Sequence, residues 1–290
     1  MEKLIYTNAL GVSIEIGGPP FYLQNVEGLG DVTADIQTQK SAYEDGSTLL
    51  DVILNNREIP VDFVIAANYD ETYGDVSERR ALMAKVLNPK LGVGTLRYEN
   101  ERIVRIIKCI ADGVPLFPDK EGRSQRLQKG SITFIAPSVY WESLNIIEEP
   151  PYIPLFKFPF SGTRPFKTGL QQDERIITND GDAETPLYVE LQGPATNPRI
   201  INKTTGKYIK VDQDLLIGET MIIDTNPDTA KVIFIDVEGN ARNVVHWLDL
   251  GSSLASFKLQ IGENRIAYVA DSDIRNNTFN LTWRKQYNAV

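Results

Sequence analysis

The sequence predicts a mainly β protein built as two domains, and three observations carry that prediction. Apolar residues alternate in short runs, as in Ile59-Val61-Phe63-Ile65 and Leu187-Val189-Leu191, the period of a half-buried strand. The runs are fenced by dense turn chemistry: Asn179-Asp180-Gly181-Asp182, Gly193-Pro194, Asn197-Pro198 and Thr204-Thr205-Gly206. A change to helical spacing stands out once in the N-terminal half, where Leu82, Met83, Val86 and Leu87 fall on one face. The expected architecture is an N-terminal β-sandwich or barrel with one flanking α-helix, followed by a C-terminal jelly-roll β-sandwich.

Taken in order, residues 1–26 alternate in bursts (Leu4-Tyr6, Val12-Ile14-Ile16, Phe21-Leu23) and predict two or three strands. Gly28-Leu29-Gly30 follows, and glycines this close suggest a bulge or a sharp exit from the sheet. A hairpin is expected from Asp31 to Leu54, turning at Tyr43-Glu44-Asp45-Gly46, with Gly46 free to take positive φ. Its strands read as polar and weakly apolar, so it is either an edge of the sandwich or an arm lying on a neighbouring subunit. An isolated two-stranded pair is marginal in water, which favours some such cover. Another strand spans Arg57 to Ile65. Asp75 to Glu78 resembles a capping box at the start of the helix, and Asn88-Pro89 and Gly92 stop it. Strands resume at Gly94–Tyr98, Ile103–Ile110 and Ser131–Ile135, with 119–130 as an exposed loop.

The first domain is therefore placed at 1–140. From 141 to 172 a connection carries five prolines (Pro150, Pro151, Pro154, Pro159, Pro165) among aromatics, a composition that packs along a surface instead of flopping in solvent. The second domain spans 173–290. Pro194 and Pro198 cannot donate to a ladder and belong in a corner between strands. After Tyr208, short strands recur at Glu219–Asp224, Lys231–Ile235, Leu254–Leu259, Asn264–Val269 and Thr278–Trp283.

Composition narrows the function classes. The net charge is −9, divided −4 and −5 when the chain is split after Tyr140, so the acidity is general. That argues against tight nucleic-acid binding, which needs clustered Lys and Arg on phosphates, and is compatible with a surface that DNA slides past. No apolar run approaches the roughly 18 residues that span a bilayer, and the N-terminus does not read as a signal peptide. Cys109 is the one cysteine, which leaves no internal disulfide and no multi-cysteine zinc site.

The residues that could carry chemistry are few. His246 is the one histidine, and its apolar neighbours Val244, Val245, Trp247 and Leu248 predict a buried or half-buried structural role. Asp180, Asp182 and Glu184 are spaced like the start of a calcium loop, but later ligands are missing and Pro186 opens a strand at once. Glu148-Glu149 reads as a charged loop on the connection. Trp247, Tyr268 and Trp283 are candidates for stacking on sugar rings, against the alternative of core positions. No catalytic, metal-binding or cofactor-binding residue and no cofactor are expected.

The run from Arg175 to Tyr208 also carries a resemblance. N-x-G-D-x-x-T-P, G-P-x-x-N-P and N-x-T-T-G, borne by Gly181, Asp182, Pro186, Gly193, Pro194, Asn197, Pro198 and Gly206, resemble the C-terminal domain of phage distal tail (Dit) proteins. The order strands–helix–strands and the close at Phe134-Ile135-Ala136-Pro137 resemble that family's tail-tube-like N-terminal domain. The G-L-G then Y-x-D-G pattern (Gly28, Gly30, Tyr43, Asp45, Gly46) resembles its subunit arm. The resemblance implies a galectin-like C-terminal fold and a homo-hexameric ring at the tip of a long non-contractile tail. It further implies contacts with the tail tube protein and a tail-associated fibre or lysin protein, with the tape measure protein or receptor-binding proteins as further candidates. DNA would pass through the channel, and no membrane insertion is implied. The other reading left open is a carbohydrate-binding module facing the host surface.

Overall fold

The structure, a computed structural model, describes residues 2–43, 45–67, 73–119, 122–149, 173–271 and 278–290. It is mostly β with one short α-helix, and the chain divides into two compact units. The first comprises Met1–Leu144 together with Tyr287–Val290, the second Asn145–Gln286. The part of the proline-rich connection from 150 to 172 lies outside the described residues.

In the first unit, β1 (Lys3–Thr7), β2 (Ser13–Ile16), β3 (Phe21–Val26), β6 (Arg57–Ala66), β7 (Gly94–Glu99), β8 (Val104–Ala111) and β9 (Leu127–Ala136) form one antiparallel sheet. Two further strands, β4 (Ala34–Gln39) and β5 (Thr48–Leu54), pair only with each other. The sheet order is β2-β1-β7-β8-β9-β6-β3, and of the two forms expected the closed barrel is not made.

The pleat sends alternate side chains to opposite faces, so each strand buries one parity. β6 buries Arg57, Ile59, Val61, Phe63 and Ile65, and β9 buries Gln128, Gly130, Ile132, Phe134 and Ala136. These meet Leu4, Tyr6, Ile14 and Ile16 from β1 and β2, with the Tyr6 and Phe134 rings 5.0 Å apart. The loop expected over 119–130 shortens, because β9 starts at Leu127.

The helix α1 runs Tyr73–Val86, so Asp75 lies within its first turn and is not the cap. Its buried residues are Val76, Met83 and Val86, with Leu87 just beyond; Leu82, expected on that face, is exposed. Val76 and Met83 are seven residues apart, about 20° from superposition on a 3.6-residue helix, whereas Leu82 sits a full residue step away. Asn8 in the β1–β2 turn donates from Nδ2 to the Val86 carbonyl at 3.2 Å and so caps the end of the helix.

The second unit holds a six-stranded sheet, ordered 147–149, 278–283, 188–192, 220–224, 231–235 and 241–243, and a four-stranded sheet, ordered 173–179, 262–269, 199–202 and 207–210. Leu191, Val189, Met221, Ile223 and Leu281 from the first pack with Ile177, Ile200, Ile209, Ile266 and Tyr268 from the second in one core. Glu148 and Glu149 stand on a strand paired with 281–283, not on a loop. Among the described residues no helix is long and apolar enough to cross a membrane.

Candidate assembly surfaces

The hairpin β4–β5 is the outlying element of the first unit. All of its residues except Leu54 are exposed, and the apolar ones strongly so: Ile36 61%, Leu49 58%, Leu50 60%, Val52 48% and Ile53 48%. Register explains how these are arranged. Ala34 pairs with Leu54, Ile36 with Val52 and Gln37 with Asp51, and then the register slips so that Thr38 pairs with Leu49. Leu50 is thus the extra residue of a β-bulge. Counting parity from Val52 on one side and from Thr38 on the other puts Leu50 and Leu49 on the same face. That face carries Ala34, Ile36, Thr38, Leu49, Leu50, Val52 and Leu54; the other carries Asp35, Gln37, Gln39, Thr48, Asp51 and Ile53. From sequence the pair reads as polar and weakly apolar, and a strict period of two would place Leu49 and Leu50 on opposite sides. The bulge gathers them.

The turn residues singled out from sequence lie where a solvent-projecting tip would need them. Tyr43 is fully exposed with φ 72°, Gly46 has φ 88°, and Asp45 is exposed. Asn55 and Thr33 close the base through a backbone hydrogen bond of 2.9 Å.

Behind the base lies a residue that sequence reading passed over. Arg57 is 1% exposed, yet it opens the inward parity of β6. Its Nη1 donates to the Gly28 carbonyl at 2.6 Å, its Nε to Val139 at 2.9 Å and its Nη2 to Asn288 at 2.6 Å. Three backbone carbonyls solvate the buried cation, and burial lowers its pKa while the charge of Asp31 opposes the shift. Gly28 lies on this clamp with φ 77°, and a Cβ there would sit 1.9 Å from the Glu58 carbonyl oxygen. The Gly28–Gly30 segment is therefore pressed against β6, with Gly30 beside Ala289 and the Leu29 carbonyl accepting from Val290 N. An arginine leading an otherwise apolar alternation was the available signal for this role.

In the second unit the turn residues serve the sandwich corners. Gly181 N donates to Asn179 Oδ1 at 3.1 Å, and Asp182 N to the Gln286 carbonyl at 2.8 Å. Asp180 pairs with Lys285 at 2.6 Å, and that hydrogen bond holds its carboxyl below the usual range. Pro186 pairs across from Lys258. The Gly193–Pro194 bond is cis, and a Cβ on Gly193 would meet the Leu216 carbonyl oxygen at 2.2 Å. Asn197 takes φ 48° and donates to Asp271 at 2.9 Å, the Pro198 carbonyl accepts from Val211 N, and Gly206 has φ 74°.

The remaining chemical candidates resolve as follows. His246 is exposed on a short 3-10 turn, contrary to the buried role its apolar neighbours suggested; Val244, two residues earlier, takes the core position. Tyr268 and Trp283 are 1% and 5% exposed and cannot present a ring to a sugar. Trp247 is half-buried against Phe234, its ring covered by Arg242 at 5.1 Å.

Comparison with known proteins agrees with this architecture. Residues 12–136 match the family model described as phage tail protein RIFT-related domain, and residues 180–287 match siphovirus-type tail component, C-terminal domain. Among solved structures, the chain superposes on the Dit protein of phage SPP1, called a paradigm of hub adsorption apparatus in Gram-positive infecting phages. The TM-score is 0.68 at 12% identity over 99% of both chains. It also superposes on a chain of the phage p2 baseplate in its activated conformation, with TM-score 0.57 and 12% identity over 100% of this chain and 99% of that one. No curated protein matches the chain by sequence.

Proposed function

The chain belongs to the siphovirus-type distal tail proteins, a structural component of the virion's tail tip and not an enzyme, and on that premise we propose that it forms a homo-hexameric hub. In this reading the first unit builds the ring and the second, galectin-like, faces outward. One face of the ring meets the last tail tube ring, and the other meets the tail-associated fibre or lysin protein. The genome passes through the central channel on ejection, and the net charge of −9 helps DNA slide past without sticking. The tape measure protein and receptor-binding proteins are further candidate contacts.

The observation that carries the ring is the β4–β5 hairpin. It holds an apolar face that its own subunit leaves in water, and a two-stranded pair is marginal by itself. Burial between subunits supplies what the hairpin lacks within one. The site residues Gly28, Gly30, Tyr43, Asp45 and Gly46 then have distinct roles: Gly28 presses the base against β6, Gly30 lies beside Ala289, and the others form the reaching tip.

Sedimentation and native mass measurement of the purified protein test this. A closed six-subunit species is expected. A strict monomer at high concentration would overturn the ring. Binding of such a monomer to cell wall would turn the reading to a carbohydrate-binding module.

A further inference from the structure

We propose that the edge of the second unit's six-stranded sheet, where Arg242, His246 and Trp247 meet, binds an anionic glycopolymer of the host surface. The inference rests on the tail-tip placement and not on the ring, since the site lies within one copy. Strand 241–243 is outermost in that sheet, and all three of its residues are exposed. Register sets Arg242 opposite Phe234, whose ring packs in the core. The Arg242 guanidinium lies over that ring, its Cζ 4.9 Å from the centroid. The chain then bends through the 3-10 turn Val245–Trp247, which brings the Trp247 ring to 5.1 Å from the same Cζ. Trp247 is fixed there: its amide donates to the Val244 carbonyl and its carbonyl accepts from Asp212 N, both at 2.8 Å. The exposed imidazole of His246 stands edge-on to the indole, with 6.1 Å between centroids.

This cluster offers donors and holds no acid. Elsewhere in the unit cations are answered by carboxylates: Lys203 by Glu174 at 2.6 Å, Lys285 by Asp180 at 2.6 Å and Lys210 by Asp212 at 2.5 Å. Among the described residues no carboxylate pairs with Arg242, because the acids around it are engaged. Asp236 accepts from Glu238 N and Asn240 N, and Glu238 from Asn240 Nδ2. Asp249 accepts from Tyr208 Oη at 2.7 Å and from Gly251 N at 3.0 Å. A guanidinium keeps its N–H donors in its own plane, so stacking over rings leaves them open to an oxyanion. Two aromatic rings hold that plane in place, which lowers the ordering cost of binding. The imidazole and indole beside it add flat apolar surface for the C–H faces of a sugar or polyol. An anion carried on a polyol chain matches both features, and an open edge strand lets a long chain run past without entering a cavity. Phosphodiester-linked and uronic-acid polymers share this chemistry.

Titration calorimetry of the full chain with poly(glycerol phosphate), a polyuronate, neutral dextran and polyglutamate tests the assignment. At least one of the first two should bind, more weakly as salt is added, and their relative affinity tells phosphate from carboxylate. Arg242→Glu should weaken that binding at least about tenfold, the loss of a charge-assisted hydrogen bond. Arg102→Glu makes the same charge change at an exposed site of the first unit and should shift affinity by less than about twofold. Binding should also alter tryptophan emission, and Trp247→Phe should abolish that change, because Trp141 and Trp283 are buried. Failure of both anionic polyols to bind, equal losses in the two arginine variants, or an emission change that survives Trp247→Phe would each overturn the inference. So would dextran or polyglutamate binding as tightly, since stacking alone or any acidic chain would then suffice. Sedimentation reads the ring separately, so a negative result here leaves the hub reading standing.

Discussion

Replacing Leu49 and Leu50 together by Asp separates an arm from a local edge. Within the subunit both side chains already stand mostly in water, at 58% and 60% exposure. Burying a whole leucine contributes about 1.5–3 kcal/mol, so the share still available to a partner is about 1–2 kcal/mol for each residue. Loss of the pair removes about 2–4 kcal/mol, and two carboxylates in an apolar seat add a desolvation cost of at least about 1 kcal/mol. At 1.4 kcal/mol per decade, the association constant of the subunit contact should fall by a factor of about 100 or more. The isolated subunit should hardly notice, since surface substitutions stay within about 0.5 kcal/mol, or about 2 °C for a unit of this size. Sedimentation velocity over a dilution series measures the first quantity. Calorimetry at a concentration where both proteins are monomeric measures the second, which removes the mass-action contribution to melting. A ring that dissociates at the wild-type concentration would refute the argument. So would a monomer that melts 10 °C lower, because the leucines would then belong to the subunit core.

The remaining predictions concern the base of the arm and the core beneath it. Arg57→Ala should cost about 3–5 kcal/mol in urea unfolding, because the carbonyls of Gly28, Val139 and Asn288 lose their donor together. Arg57→Lys should recover little, since an ammonium lacks the planar fork that reaches three acceptors. Gly28→Ala should cost about 2–4 kcal/mol, from the left-handed backbone and the clash with Glu58, while Gly30→Ala, whose Cβ would only touch Ala289, should stay within about 1 kcal/mol. Burial pushes the Cys109 thiol up to about 12 from an ordinary value of 9.0. Between those values the unfolded chain releases a proton that the folded chain keeps, so stability is unaffected below about pH 9 and falls by about 1.4 kcal/mol per pH unit above it. Cys109→Ala should remove that slope in alkaline unfolding curves, and a slope unchanged by the substitution would show that other groups cause it.

Much of this architecture was legible in one dimension because its signals are local. A period of two needs only a pleat, so β6 and 188–192 could be placed from their own residues. Turn chemistry needs only a few consecutive dihedrals, so Gly46, Asn197 and Gly206 could be expected in turns. The order of motifs from Gly28 to Gly206 likewise pointed to the tail-component family without any coordinates. Local periodicity does not say which strand lies alongside. The slip that gathers Leu49 and Leu50 on one face depends on β4 opposing β5 in a particular register, and a single strand contains no record of it. Nor could the inward parity of β6 reveal that Arg57 would find three carbonyls, one of them at Asn288, more than two hundred residues away. The same holds for Leu82, left exposed by which side of α1 meets the sheet, and for His246, left in water while Val244 fills the core. The pattern along the chain determined the elements and their turns. Long-range packing decided which apolar residues were left unburied, among them Leu49 and Leu50 of β5.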